Sequence, residues 1–409
     1  MQEMDIISKL FIFPVLLIAT GVIKVLSPLM GIKADRHLYP TLDGLRGFLA
    51  LFVFLHHAAI WHYVACKGKW GYVPSTLYNH FGPTSVAFFF MTTAFLFITK
   101  LTKARTQKLD WTKLYISRIM RIMPLYIVAV LIILCIAGFW SNFTLKESPP
   151  KLLLNTLKWV LFMQPNINNI DGTKHIISGV QWSLAFEWAF YFSLALIGRL
   201  FFRIRTPFPI ICTTVLFLIV FILIIKQYYP YWMVLIYFFA GAIASFAVRN
   251  NKIKTLFSTN LFTWVTLVLL FIVLFFYPTV YKPVPFICMT LIFTAIACGN
   301  DIFGTLTSNS SLLLGQISYS IYLLHGFILF ITIKFIVGIK EIQKLAIIEY
   351  WLVICICTCL VVIASTLSYF FIEKKGINAS NGVIKKVNQI FPKKSTTNIQ
   401  KTNYPSEVV

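Results

Sequence analysis

Apolar runs about as long as a bilayer is thick recur along this 409-residue chain. A helix of about 20 apolar residues crosses the hydrocarbon core of a membrane. Backbone groups in lipid must bond within their own segment or close a barrel, and these runs are about twice as long as barrel strands. The pattern predicts an all-α polytopic membrane helix bundle, with one extra N-terminal helix at 8–30 and ten core transmembrane helices near 42–64, 85–99, 121–140, 183–202, 209–226, 232–248, 258–277, 284–303, 312–336 and 344–372.

Composition excludes a soluble domain and a nucleic-acid partner. Only 12% of the residues are charged and 58% are hydrophobic, whereas ordinary globular chains carry about a quarter charged residues. The net charge of +23 would suggest nucleic acid in a soluble chain, but here the basic residues lie in loops between apolar runs. The eight cysteines show no metal-ligand spacing, so no metal is expected.

Loop charges predict the orientation of the bundle. Basic residues between 100 and 121, at Arg203 with Arg205, and between 249 and 254 fill alternate loops, which the positive-inside rule assigns to the cytoplasm. The C-terminus is then cytoplasmic, while Glu3, Asp5 and the segment 141–181 are external.

The chain is expected to divide into three parts. Residues 1–40 hold the extra helix and a linker, 41–373 form the membrane domain, and 374–409 form a basic cytoplasmic tail whose polar composition predicts disorder. Within the external segment, the apolar stretch 152–163 is too short to span and is expected to be a re-entrant or interfacial helix.

The first core helix carries the clearest candidate pair. Ionisable side chains within hydrocarbon are costly, so each one marks a candidate functional site. Arg46, in Leu-Asp-Gly-Leu-Arg-Gly, and His57 are eleven residues apart, which places them on one helix face with a rise of about 16.5 Å between them. An imidazole at mid-membrane depth suits proton transfer, and the alternative is a neutral histidine packed between helices. His56 is rotated about 80° from Arg46 and is the weaker candidate.

Two further arginines are expected at the same cytoplasmic level. Arg118 and Arg121 open the third core helix and would converge with Arg46. Guanidinium forks bind phosphate oxygens, so a phosphorylated ligand from the cytoplasm is the natural partner. The positive-inside rule alone also explains arginines at this position. Asp43 is expected either to pair with Arg46 at a spacing of three or to contact substrate.

The external side offers an acid and a second imidazole. Glu187 lies one turn into the fourth core helix, where it is expected to orient an acceptor sugar with Trp182 and Trp188; an aromatic belt with one hydrated glutamate is the alternative. His325 lies well along the ninth core helix and is either a substrate contact or a polar bridge between helices.

Together these segments resemble acyltransferase family 3, integral membrane O-acyltransferases that modify bacterial surface glycans. The resemblance covers about 41–373. It rests on the order and spacing of several short motifs, namely Leu-Asp-Gly-Leu-Arg-Gly, Arg46 to His57, Arg118 with Arg121 before Pro124 and Tyr126, Trp182-Ser183-Leu184 to Glu187 and Phe190-Tyr191, Tyr322-Leu323 with His325, and Ile372-Glu373.

The resemblance implies transfer of an acyl group, usually acetyl, from cytoplasmic acetyl-CoA to a surface or lipid-linked glycan such as lipopolysaccharide. The reaction would take place in the bacterial inner membrane, with the acceptor hydroxyl on the external face. Arg46, Arg118 and Arg121 are then expected to hold the CoA phosphates, His57 to act as general base, and Glu187 to orient the acceptor. A transient acyl-enzyme is a variant of this scheme.

The chain departs from the family pattern in three respects. Trp188 stands where relatives carry a second acid, and Lys375 replaces a common proline. Many relatives also carry a C-terminal hydrolase-like domain that completes transfer to the glycan. This chain has none, so it is expected to act alone or with a separate glycan-modifying partner.

Two rival interpretations stay open from the sequence. One is a proton-coupled secondary transporter of an anionic or sugar-linked solute, in which His57, Glu187 and His325 form a relay. Such transporters commonly show related halves with interrupted helices, and neither feature is found in the sequence. The other is a catalytically inactive scaffold that recruits a partner acylase.

Overall fold

The computed structural model describes residues 6–35, 37–104, 109–204, 206–226, 228 and 231–390. Its named elements are helices, and the one β-bridge recorded in this part of the chain joins Ile167 and Ile170. The all-α membrane bundle is therefore confirmed. Glu3, Asp5 and Arg205 lie outside the described residues.

The first half of the chain contributes the helices that later form most of the site. A 3₁₀ helix, Thr173–Ile177, lies between the α-helices Pro149–Val160 and Trp182–Phe202. In chain order the α-helices are α1 Ile6–Leu10, α2 Ile12–Leu29, α3 Pro40–Lys67, α4 Thr76–Lys103, α5 Trp111–Trp140, α6 Pro149–Val160, α7 Trp182–Phe202 and α8 Phe208–Lys226.

The second half contains shorter and more broken helices. Two π-helical turns, Thr332–Ile336 and Tyr369–Glu373, extend the α-helices Ser318–Ile331 and Ile347–Ser368. The helices are α9 Ile236–Ala247, α10 Asn251–Phe257, α11 Asn260–Phe276, α12 Pro283–Ala297, α13 Asn309–Gln316, α14 Ser318–Ile331, α15 Ile339–Ile342, α16 Ile347–Ser368 and α17 Lys374–Ile390.

All eleven apolar runs contain helix, but the number of spans is not confirmed. Eight helical segments of the described chain are long and apolar enough to cross a membrane. A ninth span would require α9 and α10, which are bent by 110°, to act as one. The helices α11 and α12 have 17 and 15 residues, which is short for a span of about 20 residues.

The bundle places its apolar surface where lipid would lie. The helix α8 exposes Leu216, Phe217, Ile219, Ile222 and Leu223 over its length. A soluble protein rarely leaves so large an apolar face open. The helices α3, α4 and α14 instead lie inside, because most of their side chains are buried.

Close packing of small residues fixes α3 against α13. A Cβ atom added at Gly47 would lie 2.6 Å from Leu314 Cβ, and one at Gly315 would lie 1.9 Å from the carbonyl oxygen of Asp43. Glycines at such crossings let two backbones approach. The Leu-Asp-Gly-Leu-Arg-Gly motif is thus also a packing motif, and it fixes the position of Arg46.

The segment between α5 and α7 is held by a buried polar network. Glu147 accepts hydrogen bonds from the backbone N–H of Asn168 at 2.7 Å and from Asn155 Nδ2 at 3.1 Å. The apolar stretch 152–163 overlaps α6, whose 12 residues measure about 18 Å, too short to cross a bilayer.

The predicted disorder is wrong for residues 374–390. They form α17, and the segment Ile347–Ile390 is helical throughout. Its composition is polar, but Gly376, Ser380 and Ile384 recur every four residues and are buried. Such a narrow stripe is enough for tertiary packing to stabilise a helix. Residues from 391 onward lie outside the described part of the tail.

Candidate active site

A cavity of about 670 Å³ lies among α3, α4, α5, α7, α13, α14 and α17. We call it the arginine cavity, because Arg46, Arg118 and Arg121 all line it. Along α4 its lining runs from Val86 to Lys103, about 25 Å of helix. The structure therefore brings together the three arginines expected to meet at one level.

Two of the three guanidiniums make no direct hydrogen bond or ion pair with the described part of the chain. Arg118 lies over the Phe97 ring at 5.3 Å and hydrogen-bonds Tyr191. Within the described chain, Arg46 and Arg121 have neither a hydrogen bond nor an ion pair, although both are half-buried. Charges at membrane depth normally pair. An anionic ligand in the cavity would supply the missing partners.

Glu187 lies in the same cavity as the three arginines, and its predicted role towards the acceptor stays a prediction. Its carboxylate accepts hydrogen bonds from the Tyr191 hydroxyl and from Thr93 Oγ1, the latter at 3.3 Å. Ser183, Glu187 and Tyr191 are spaced by four and line the arginine cavity as one face of α7. Counting depth along α7 suggested an external position, but the rotation of the helix turns the carboxylate towards the arginines.

The tryptophans beside Glu187 pack against other aromatic rings of the bundle. Trp182 packs edge-on against Phe186 at 5.5 Å. Trp188 is buried and packs near Phe162. Neither tryptophan is among the described residues that line the arginine cavity.

Asp43 also has a different partner from the one expected. Its carboxylate contacts His37 Nδ1 at 3.1 Å, while Arg46 is not within ion-pair distance. Asp43 and His37 both line the arginine cavity.

The histidine predicted on α3 contacts the histidine predicted on α14. His57 Nδ1 lies 3.0 Å from His325 Nε2, although 268 residues separate the two in sequence. Gly326 makes this position possible, since a Cβ atom there would lie 2.3 Å from the backbone carbonyl carbon of Ile177. Sequence reasoning found both imidazoles but not their contact.

The hydrogen-bond pattern fixes the tautomers of this pair. His325 Nδ1 lies 3.0 Å from the carbonyl oxygen of Ile321. A carbonyl only accepts, so His325 Nδ1 carries a proton and His325 Nε2 is left as an acceptor. His57 must then donate from Nδ1, which leaves the lone pair on His57 Nε2. The arrangement holds the first imidazole in the form of a base.

The neighbouring His56 has a structural contact instead. Its Nδ1 bonds the carbonyl oxygen of Tyr78 at 2.7 Å, which ties α3 to α4. A Cβ atom at Gly82 would lie 2.7 Å from His56 Nε2. The weaker rank given to His56 agrees with this packing role.

Further outward, the imidazole pair continues into a stack of rings. Trp70 lies 6.2 Å from His57 and 4.3 Å from His175, with interplanar angles of 29° and 16°. We call His325, His57, Trp70 and His175 the histidine ladder. Burial, with Lys174 and Lys334 nearby, lowers the pKa of His175 to about 4. Its imidazole is therefore neutral at pH 7, and sequence reasoning had not singled it out.

One layer of side chains separates the cavity from the ladder. Of the described residues, those of the ladder do not line the arginine cavity, but Tyr322 does. Tyr322 lies 6.3 Å from the His325 ring, and its hydroxyl lies 2.7 Å from Ser183 Oγ and 3.1 Å from the carbonyl oxygen of Val180. This tyrosine forms the wall between the two regions.

Comparison with known proteins identifies the family of the chain. A family model described as an acyltransferase domain, that of acyltransferase family 3, matches residues 39–370. No curated protein and no solved structure gives a significant match. The matched segment contains the cavity arginines, Glu187 and both imidazoles of the pair. Since the match covers most of the chain, the protein belongs to acyltransferase family 3 and is a membrane acyltransferase.

Proposed function

We propose that this protein transfers an acetyl group from cytoplasmic acetyl-CoA to a hydroxyl of a surface or lipid-linked glycan on the external face of the bacterial inner membrane. One observation carries the proposal. A cavity with two guanidiniums that make no direct hydrogen bond or ion pair within the described chain reaches Tyr322, one helical turn from an imidazole pair whose outer nitrogen is left as an acceptor. The first region suits a phosphorylated donor, and the second suits proton removal from an acceptor.

The donor would bind through its phosphates. Arg46 and Arg121 supply charge-assisted hydrogen bonds to the pyrophosphate of CoA. Arg118 is held in place by Tyr191, which in turn donates to Glu187. Glu187 thus positions a donor-binding arginine in this scheme and does not orient the acceptor. No metal takes part.

The acyl transfer follows from the tautomers of the pair. His57 Nε2 removes the proton from the acceptor hydroxyl, and the oxygen attacks the thioester carbonyl carbon. The tetrahedral intermediate collapses, the C–S bond breaks, and the imidazolium returns the proton to the departing CoA thiolate. His325 stabilises the imidazolium by accepting from His57 Nδ1, as the third member of a catalytic triad does.

The two substrates would meet only if the wall between the regions opens. The Tyr322 hydroxyl is hydrogen-bonded to Ser183 of α7 and to the carbonyl oxygen of Val180, just before that helix. Rotation of this one side chain would admit the pantetheine arm to His57. The acceptor would arrive from the opposite side, past Trp70.

A transfer assay tests the proposal. Membranes containing the full chain are incubated with radiolabelled acetyl-CoA, and labelled glycan and released acetate are measured. We expect His57→Ala to lower turnover about 10²- to 10⁴-fold, the usual contribution of a general base. His62→Ala, on the same helix outside the ladder, is the matched control and should retain activity. Wild-type activity in His57→Ala would refute the role, and a wild type that never consumes acetyl-CoA would favour a transporter or scaffold.

A further inference from the structure

The helix α17 lines the arginine cavity although it lies beyond the matched family segment. That segment ends at residue 370, and α17 begins at Lys374. Lys374, Ile377 and Asn378 all line the cavity. Their spacing of three and four places them on one face of the helix. This chain therefore builds part of its cavity from residues that the family match does not include.

The opposite face of α17 is packed firmly against α5. A Cβ atom at Gly376 would lie 2.4 Å from the carbonyl oxygen of Met120 and 3.2 Å from Pro124 Cγ. Ser380 and Ile384 continue this buried face. Because the backbones are in direct contact, the cavity-facing side chains of α17 have a fixed position relative to the arginines of α5.

Exposure distinguishes α17 from the reacting end of the cavity, since Tyr322 is buried, whereas Lys374 is half-buried and Asn378 is exposed. Tyr322 lies at the deep end, beside the histidine ladder. Lys100 and Lys103 mark the other end, at the C-terminus of α4, where Lys103 and Asn378 are exposed. A donor whose thioester faces Tyr322 and whose pyrophosphate meets the arginines would extend its adenosine end towards α17.

The charge of the lining fits a highly anionic ligand. Six Lys and Arg side chains line the cavity against three acids, Asp35, Asp43 and Glu187. A pyrophosphate accounts for part of this excess. Lys374 of α17 adds positive charge beyond that of the three arginines, and CoA carries a further phosphate on its adenosine ribose, at the 3′ position.

We propose that α17 binds the adenosine end of the donor, with Lys374 and Asn378 contacting the 3′-phosphate, so that this chain selects CoA over related thioesters that lack that group. The inference rests on the proposed donor. It adds a binding element outside the family segment and a reason for donor selectivity.

Binding of two probes to the detergent-purified full chain tests this inference. Calorimetry would give Kd for CoA and for 3′-dephospho-CoA. We expect wild type to bind CoA at least tenfold more tightly, because a hydrogen bond between charged groups contributes about that factor or more. Lys374→Ala should weaken CoA binding about tenfold and leave 3′-dephospho-CoA unchanged. Asn378→Ala should also weaken CoA binding, but by a smaller factor. Lys374→Arg keeps the charge and should keep the preference for CoA over 3′-dephospho-CoA.

Lys375→Ala is the matched control. Lys374 and Lys375 lie over the rings of Phe370 and Phe371 at 5.7 and 5.6 Å, so each substitution removes one charge and one similar ring contact. Only Lys374 lines the cavity. Equal loss in the two variants, or equal binding of the two probes by wild type, would overturn the inference while leaving the donor proposal intact. Failure of wild type to bind either probe would remove both.

Discussion

The arginine cavity and the histidine ladder share α3 and α14 but differ in every physical respect. The cavity is open and charged, and among the residues that the structure describes two of its guanidiniums make no direct hydrogen bond or ion pair. The ladder is aromatic. The two imidazoles at its inner end, His57 and His325, are hydrogen-bonded to each other, and His325 also bonds a carbonyl oxygen. One region is arranged to receive an anion. The other is arranged to hold a proton acceptor in a defined form.

This difference indicates a division of labour along one helix. Arg46 meets the cavity and His57 meets the ladder, three turns apart on α3. Substitutions in the cavity should therefore change donor affinity, whereas substitutions in the ladder should change turnover. Donor affinity and turnover should then respond to different substitutions.

The largest loss of donor affinity is expected from substitutions in the cavity. Arg46→Gln or Arg121→Gln removes a charge-assisted hydrogen bond to phosphate, which should raise Kd for CoA about 10- to 150-fold. Calorimetry on the purified chain measures this. Arg249→Gln is the control, because Arg249 lies over Phe246 and does not line the cavity. Unchanged CoA affinity in both cavity variants would mean that the guanidiniums serve topology alone.

Within the ladder, His325→Phe should lower kcat about 10- to 100-fold without changing Kd for CoA. The substitution removes the acceptor of His57 Nδ1–H, so the first imidazole loses its fixed tautomer. His325→Gln restores an acceptor oxygen and should recover part of the loss. A purely structural His325 would instead reduce the yield of folded protein and leave the pH profile of kcat unchanged.

The smallest effect concerns the outer end of the ladder. The pKa of His175 is about 4, below the ordinary value near 6.5, so the unfolded segment binds a proton that the folded one excludes. Its stabilising contribution is complete above about pH 6.5 and is lost as the pH falls towards 4. Hydrogen-exchange protection of residues 172–179, measured relative to the intrinsic amide exchange rate at each pH, should fall on acidification from pH 7 to pH 5.

His175→Phe keeps a ring against Trp70 but cannot take up a proton. In this variant the protection of residues 172–179 should depend less on pH. An equal loss of protection in wild type and variant would show that another group controls the segment.

The sequence predicts the architecture well because apolar length is a local property. Each apolar run contains helix, and Arg46, Arg118 and Arg121 line one cavity because each lies in the N-terminal part of its helix. The direction in which a helix face points within the bundle is not a local property. Depth along α7 could not show that Glu187 faces the arginines, and composition could not show that Gly376 docks α17 on α5.

The contact between His57 and His325 was equally out of reach. It depends on which helices are neighbours, and 268 residues separate the two side chains. The glycine beside His325 is the one local signal, since Gly326 allows the close approach of Ile177. The sequence alone does not say what lies against that glycine.

The central claim is that a thioester held by the arginine cavity reaches His57 Nε2. Bromoacetyl-CoA carries an electrophilic carbon at the acyl position, and peptide mass spectrometry of the treated full chain would locate the alkylated residue. We predict an adduct on His57 that excess CoA suppresses and that Arg46→Gln diminishes. Labelling only at residues outside the cavity and the ladder, or labelling of His57 that CoA does not suppress, would contradict the account.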